Sequence, residues 1–92
     1  MKTVHKHILT PHSGDRDIEL TAQHHFLGAE FITHCKEIWI WVEVDTDPSA
    51  QRTTAKLRII RSGDAMPNDA EHCGTAIDQY HSEAYHVYCL AS

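Results

Sequence analysis

The chain has 92 residues, 41% of them hydrophobic, and sets 8 Lys and Arg against 13 Asp and Glu, for a formal charge of −5 with histidine neutral. That describes one domain, residues 1–92, able to bury a single small core and too apolar for a disordered tract. No run approaches the length of a membrane span, the start lacks the apolar centre of a secretion signal, and no basic stripe suits direct nucleic-acid binding.

Val4 to Leu9 reads as a first strand, stopped by Thr10-Pro11 because proline cannot donate to a ladder. After the turn residues His12 to Asp15, the alternation in Asp17 to Leu20 predicts a second strand, pairing with the first as a hairpin. Thr21 to His25 is a short connection with room for one helical turn. Phe26 to Thr33 carries Leu27, Ala29 and Phe31 at period two, and is a third strand. His34 to Glu37 then forms a hairpin tip leading into Ile38 to Asp45.

This fourth strand has the clearest pattern in the chain. Ile38, Ile40, Val42 and Val44 share one face, and Trp39, Trp41 and Glu43 share the other. Both tryptophans pack as a second core layer in a closed barrel, or at least Trp39 lies in an apolar patch that meets a partner. A polar loop with Asp45, Asp47 and Pro48 follows, then Thr54 to Ile60, read as an antiparallel neighbour of the tryptophan strand. A second long loop spans Ser62 to Asp69. Glu71 to Ile77 is a short strand broken at Gly74 or an irregular crossing, and Ala84 to Leu90 closes the chain with Tyr85, Val87 and Cys89 on one side. No segment shows a helical stripe, so the expected fold class is all-β: a small antiparallel barrel or sandwich of six to seven short strands.

Charge is unevenly placed. Up to Arg61 the chain has eight bases and eight acids; beyond it come Asp64, Asp69, Glu71, Asp78 and Glu83 with no Lys or Arg. An acidic surface of this kind suits a basic patch on another protein, and otherwise serves solubility.

Catalytic signatures are missing. Cys73 beside His72 is the one candidate thiol nucleophile, and nothing in the spacing gives it a base. Cys35, Cys73 and Cys89 make an odd count without a Cys-x-x-Cys pair, which favours free thiols. His5 and His7 project from one face, while His72, Cys73, His81, His86 and Cys89 lie near the C-terminus, yet no spacing matches a zinc motif. His24 and His25 cannot readily face one point. No cofactor, metal or enzyme activity is expected.

Several short motifs recur together: Trp41-x-x-Val44-Asp45-x-Asp47, Arg52-Thr53, Leu57-Arg58-Ile59-Ile60, Gly63, Met66-Pro67, Gly74-Thr75 and Tyr85-His86-Val87-Tyr88. In these, and in Met1 to Lys6 and Ile18-Glu19-Leu20, the chain resembles a family of small proteins encoded by tailed bacteriophages. Trp39, Arg61, Asp64 and the stretch from Gln79 to Glu83 depart from that pattern. The resemblance implies a phage origin, a compact β fold and a place in the host cytoplasm, and it transfers no functional residues. With the charge pattern, it leads to the expectation of a small acidic binding protein that blocks a host defence complex, as an anti-CRISPR protein does. Asp45, Asp47, Asp64, Asp69, Glu71, Asp78 and Glu83 would enter the basic groove of a nucleic-acid-binding effector, with Trp39 as the apolar anchor. The alternative is a phage assembly accessory that self-associates, as a homodimer, through an edge strand or the tryptophan face.

Overall fold

The computed structural model describes residues 1–12 and 14–90. Seven strands follow in order: β1 (Lys2–Leu9), β2 (Arg16–Thr21), β3 (His24–Ile32), β4 (Glu37–Asp45), β5 (Arg52–Arg61), β6 (Glu71–Asp78) and β7 (Glu83–Leu90). They form two antiparallel sheets, ordered β1-β4-β3 and β2-β5-β7-β6, with no helix among the described residues. The molecule measures 43 × 30 × 18 Å, and its short dimension is what two face-packed sheets about 10 Å apart require. The result is an open sandwich; the sheets do not close into a barrel.

The central strand of the three-stranded sheet is β4, and its alternation supplies the core. Ile38, Ile40 and Val42 are fully buried and Val44 nearly so. Leu9 from β1, Ile18 and Leu20 from β2, Ala55 and Leu57 from β5, Cys73 and Ala76 from β6, and Tyr85 and Val87 from β7 close over them. Each large aliphatic in that layer contributes about 1.5–3 kcal/mol by leaving water. Phe31 stacks on Tyr85 across the sheets with centroids 5.7 Å apart.

Two expected pairings are corrected. β1 and β2 do not form a hairpin: β1 pairs with β4, from Lys2 opposite Asp45 to Leu9 opposite Ile38, and β2 pairs with β5. The chain crosses from one sheet to the other between β1 and β2, and Arg16 donates to the Ile8 carbonyl at that crossing. Likewise, β5 is not the neighbour of β4. The loop through Asp47 and Pro48 also changes sheets, and β5 lies between β2 and β7. Burying both faces of the core layer needs chain passage between sheets, whereas loop length alone suggested sequential pairing. Between Thr21 and His24 only a bend is present, where one helical turn had been possible.

The hairpins β3–β4 and β6–β7 are local. Since β5 and β6 are each antiparallel to β7, they run parallel to one another, and residues 62–70 carry the chain back to start β6. The segment around Gly74 is thus a strand with a register shift between His72 and Gly74. A second shift, between Phe26 and Gly28, bends β3. The two bulged edge strands meet. A Cβ on Gly74 would stand 3.0 Å from the Ala29 nitrogen and 3.1 Å from the Gly28 carbonyl carbon. Glycine is what lets these backbones approach so closely.

Candidate partner-binding face

Among the described residues, no layer lies over the face of the three-stranded sheet turned away from the core. Register places Lys2, Val4, Lys6 and Ile8 of β1 beside Asp45, Glu43, Trp41 and Trp39 of β4. On the other side of β4, His25, Gly28, Glu30 and Ile32 of β3 stand opposite Glu43, Trp41, Trp39 and Glu37. The extra residue of the β3 bulge, Leu27, is 50% exposed, and Val4 is 49% exposed. A shallow groove lined by Val4, Leu27, Gly28, Ala29, Glu30 and Trp41 runs between them.

The tryptophans are half-buried and hold each other edge to face, with centroids 6.3 Å apart and planes at 67°. Trp39 is braced from both sides. Lys6 places its ammonium 3.9 Å from the ring centre, and the Trp39 indole N–H donates to Glu37 Oε1 at 3.2 Å. The same oxygen accepts from the Cys35 thiol at 3.0 Å. These two donors, Cys35 before Trp39, hold the Glu37 carboxyl below the usual carboxylate range. Lys2 reaches Glu43 at 3.3 Å. The face therefore has an apolar centre of Trp39, Trp41, Val4 and Leu27. Its bases lie on β1 and its acids on β3 and β4.

The acids named from sequence do not gather. Asp45 ends β4, with Oδ1 accepting from the Asp47 N–H at 2.9 Å and the N-terminal ammonium 3.9 Å away. Asp47 in turn accepts from the Ser49 backbone and hydroxyl at 2.9 and 2.8 Å, which hold its carboxyl low. Both sit at the end of the sandwich where β4 leads into β5. Asp78 and Glu83 face each other at the opposite end, beside the β6–β7 turn. Asp78 is only 4% exposed; burial raises its carboxyl, but hydrogen bonds from His81 and the Tyr80 N–H outweigh that and lower it. Its oxygens close the turn at 2.8–3.3 Å. Asp64 closes the Arg61 turn, accepting from the Arg61 N–H at 2.9 Å. Asp69 and Glu71 are exposed, the first in the connection to β6 and the second at its start. Asp47, Asp64 and Asp78 thus serve local turns.

The histidines and thiols also separate. His72 and His86 meet on the outer face of β6 and β7 through Thr75, whose hydroxyl lies 2.9 Å from each ring. Cys73 points the other way into the core, where burial, then Cys89 and Glu71, push its thiol up to about 12. His81 is at the turn with Asp78, and His24 and His25 lie on opposite faces of β3. His5 and His7 share the inward face of β1 as expected. His7 Nε2 is buried without a hydrogen-bond partner among the described residues, and burial lowers its basicity. Among the described residues no three His, Cys, Asp or Glu side chains form a metal-binding group.

Trp39 lies half-buried on the outer face of β4, one of the two placements that the alternation left open. Trp41 joins it there instead of entering a second core layer. Val4, Leu27, Lys6 and Glu30 were missed as members of the same surface. Periodicity assigns a face to Val4, Lys6 and Glu30 within each strand, but only the β1–β4 and β3–β4 pairings say which faces coincide; Leu27, grouped by period two with Ala29 and Phe31, is instead turned to the outer face by the bulge between Phe26 and Gly28.

No curated protein and no solved structure matches this chain. A family model does match along all of it, residues 1–92, and the chain belongs to that family, DUF7352, a domain of unknown function.

Proposed function

We infer that this domain is a protein-binding module without catalytic chemistry of its own, and that its contact surface is the outer face of β1, β4 and β3. The carrying observation is the pair Trp39 and Trp41, flanked by half-exposed Val4 and Leu27, on a sheet face that none of the described residues covers. Tryptophan is the residue most enriched among interface hot spots, and a contiguous apolar face framed by charges has the anatomy of an interface.

The narrower reading comes from the phage resemblance: the partner is a host defence complex, inhibited sterically. Because the acids after Arg61 are dispersed, with Asp64 and Asp78 closing turns, the tryptophan face is the stronger carrier of that contact, with Glu30, Glu37, Glu43 and Asp45 as its acids. Affinity capture from phage-infected cells tests both levels. A nucleic-acid-binding effector recovered by the wild-type chain and lost with Trp39→Asp supports the inhibitor reading. Capture unaffected by Trp39→Asp and by Leu27→Asp, in variants with wild-type circular dichroism, overturns the assignment of the face.

A further inference from the structure

Three connections crowd one end of the sandwich: the crossing after β1, the β3–β4 tip and the β6–β7 turn. Between them opens a cleft of about 390 Å³, a size that small-molecule pockets commonly have. Its wall is apolar, formed by Pro11 and by Phe31 stacked on Tyr85 with ring planes 15° apart. His12, Lys36 and His81 carry the polar groups of its rim. Lys36 holds a backbone φ of 53°, a left-handed position at a hairpin tip where glycine or asparagine is the usual occupant.

The charges at this end, counted together, leave Lys36 unanswered. Asp78 lines the cleft, but its oxygens already accept from the Tyr80 and His81 N–H groups and from His81 Nδ1 at 2.8–3.3 Å. Asp15 is taken by Arg58, and Glu37 holds the Cys35 thiol and the Trp39 indole. Glu83 stands across from Asp78 on β7 and does not line the cleft. No carboxylate pairs with Lys36 among the described residues. The Asp78 carboxylate also keeps the His81 proton on Nδ1, so Nε2 is the nitrogen left for a ligand.

We propose that this cleft is a binding site for a small aromatic carboxylate. The ring lies along the Phe31–Tyr85 wall, and the acid group meets the Lys36 ammonium and His81 Nε2. An anion there favours the imidazolium, which donates from Nε2 while Asp78 holds Nδ1, so binding takes up a proton. His12, on the facing connection, adds to the same effect. The site is separate from the tryptophan face and does not depend on its role.

Benzoate is the probe, followed by amide shifts in heteronuclear NMR of the whole chain. Shifts are expected in residues 10–12, 31–36 and 78–85. They should saturate with a Kd on the order of a millimolar, as suits about nine non-hydrogen atoms. Benzamide and acetate, each lacking one half of the recognised group, should bind about ten-fold more weakly, and benzylamine more weakly still. Lys36→Met should cost benzoate about ten-fold and leave benzamide unchanged, which separates the charge from the fold. Affinity for benzoate should rise as pH falls from about 8 to about 6, and His81→Gln should reduce that rise. Leu27→Asp, a change on the tryptophan face, should bind benzoate as the wild-type chain does. Benzylamine as tight as benzoate, a Lys36→Met variant of wild-type affinity, or shifts scattered over the surface overturns the site. So does benzoate that fails to saturate. Loss of partner capture with intact benzoate binding, conversely, bears on the tryptophan face alone.

Discussion

Gly74 of β6 lies so close to Ala29 of β3 that a single added carbon would stand 3.0 Å from the Ala29 nitrogen. This is where the edges of the two sheets meet, and backbone cannot yield there as a flexible side chain would. Gly74→Ala is therefore expected to destabilise the fold by about 1–3 kcal/mol, read from the midpoint of urea unfolding. Gly28→Ala tests the same corner by another route. Its surroundings are open, but its φ of 154° is a conformation that side chains rarely adopt. A cost of about 1–3 kcal/mol is expected there too, from backbone strain without a clash.

The two faces of β4 should respond oppositely to truncation. Val42→Ala or Leu57→Ala opens a cavity in a fully buried layer, and either is expected to cost about 2–4 kcal/mol. Trp39→Ala, measured at a concentration low enough to keep single chains, should cost about 1 kcal/mol or less despite the larger side chain removed. A Trp39 loss as large as that of Leu57 would mean that the outer face is structural.

That contrast also marks how much was legible. The inward and outward residues of β4 and β7 follow from alternation, because a strand with one buried face must repeat every two residues. The β3–β4 hairpin follows from the short polar tip between two such strands. The β1–β4 pairing does not, since nothing local to Val4 or Lys6 tells which distant strand they join. The same gap hid the site: Trp39 could be singled out, but Leu27 and Glu30 reach it only through the register of β3. The acids of the C-terminal third were legible as charges, not as the turn-closing groups that Asp64 and Asp78 prove to be.

Asp15 and Arg58 give a pH prediction. The Arg58 guanidinium donates twice to the Asp15 carboxylate at 2.8 Å and holds that carboxyl below its ordinary value, chiefly through the hydrogen bond. The unfolded chain thus takes up this proton more readily than the folded one. The pair's contribution is complete above about pH 5 and disappears as pH falls through the lower folded value. Asp15→Asn should lower the urea midpoint at pH 7 and narrow the difference from wild type below pH 3. An equal difference at both pH values would exclude a charge-dependent origin.

The three thiols should react in a fixed order. Cys35 is exposed, Cys89 half-buried and Cys73 buried with its thiol at about 12, so at pH 8 only about one Cys73 in ten thousand is thiolate. A thiol reagent should label Cys35 first and Cys73 only on unfolding, as mass spectrometry of a time course would show. Glu37 accepts the Cys35 S–H and raises that thiol. Glu37→Gln is accordingly expected to speed Cys35 labelling several-fold, and an unchanged rate would argue against the bond.

The crossings between sheets have a kinetic consequence. Only β3–β4 and β6–β7 can form from neighbouring stretches of chain, whereas β1 must wait for β4, and β2 for β5. Loop closure precedes reward in such a topology, which places folding in the millisecond-to-second range. During synthesis the first strand leaves the ribosome well before its partner. Val4 and Ile8 then depend on Lys6, set between them on the same face, and on Lys2 ahead of Val4, to discourage pairing with another nascent chain.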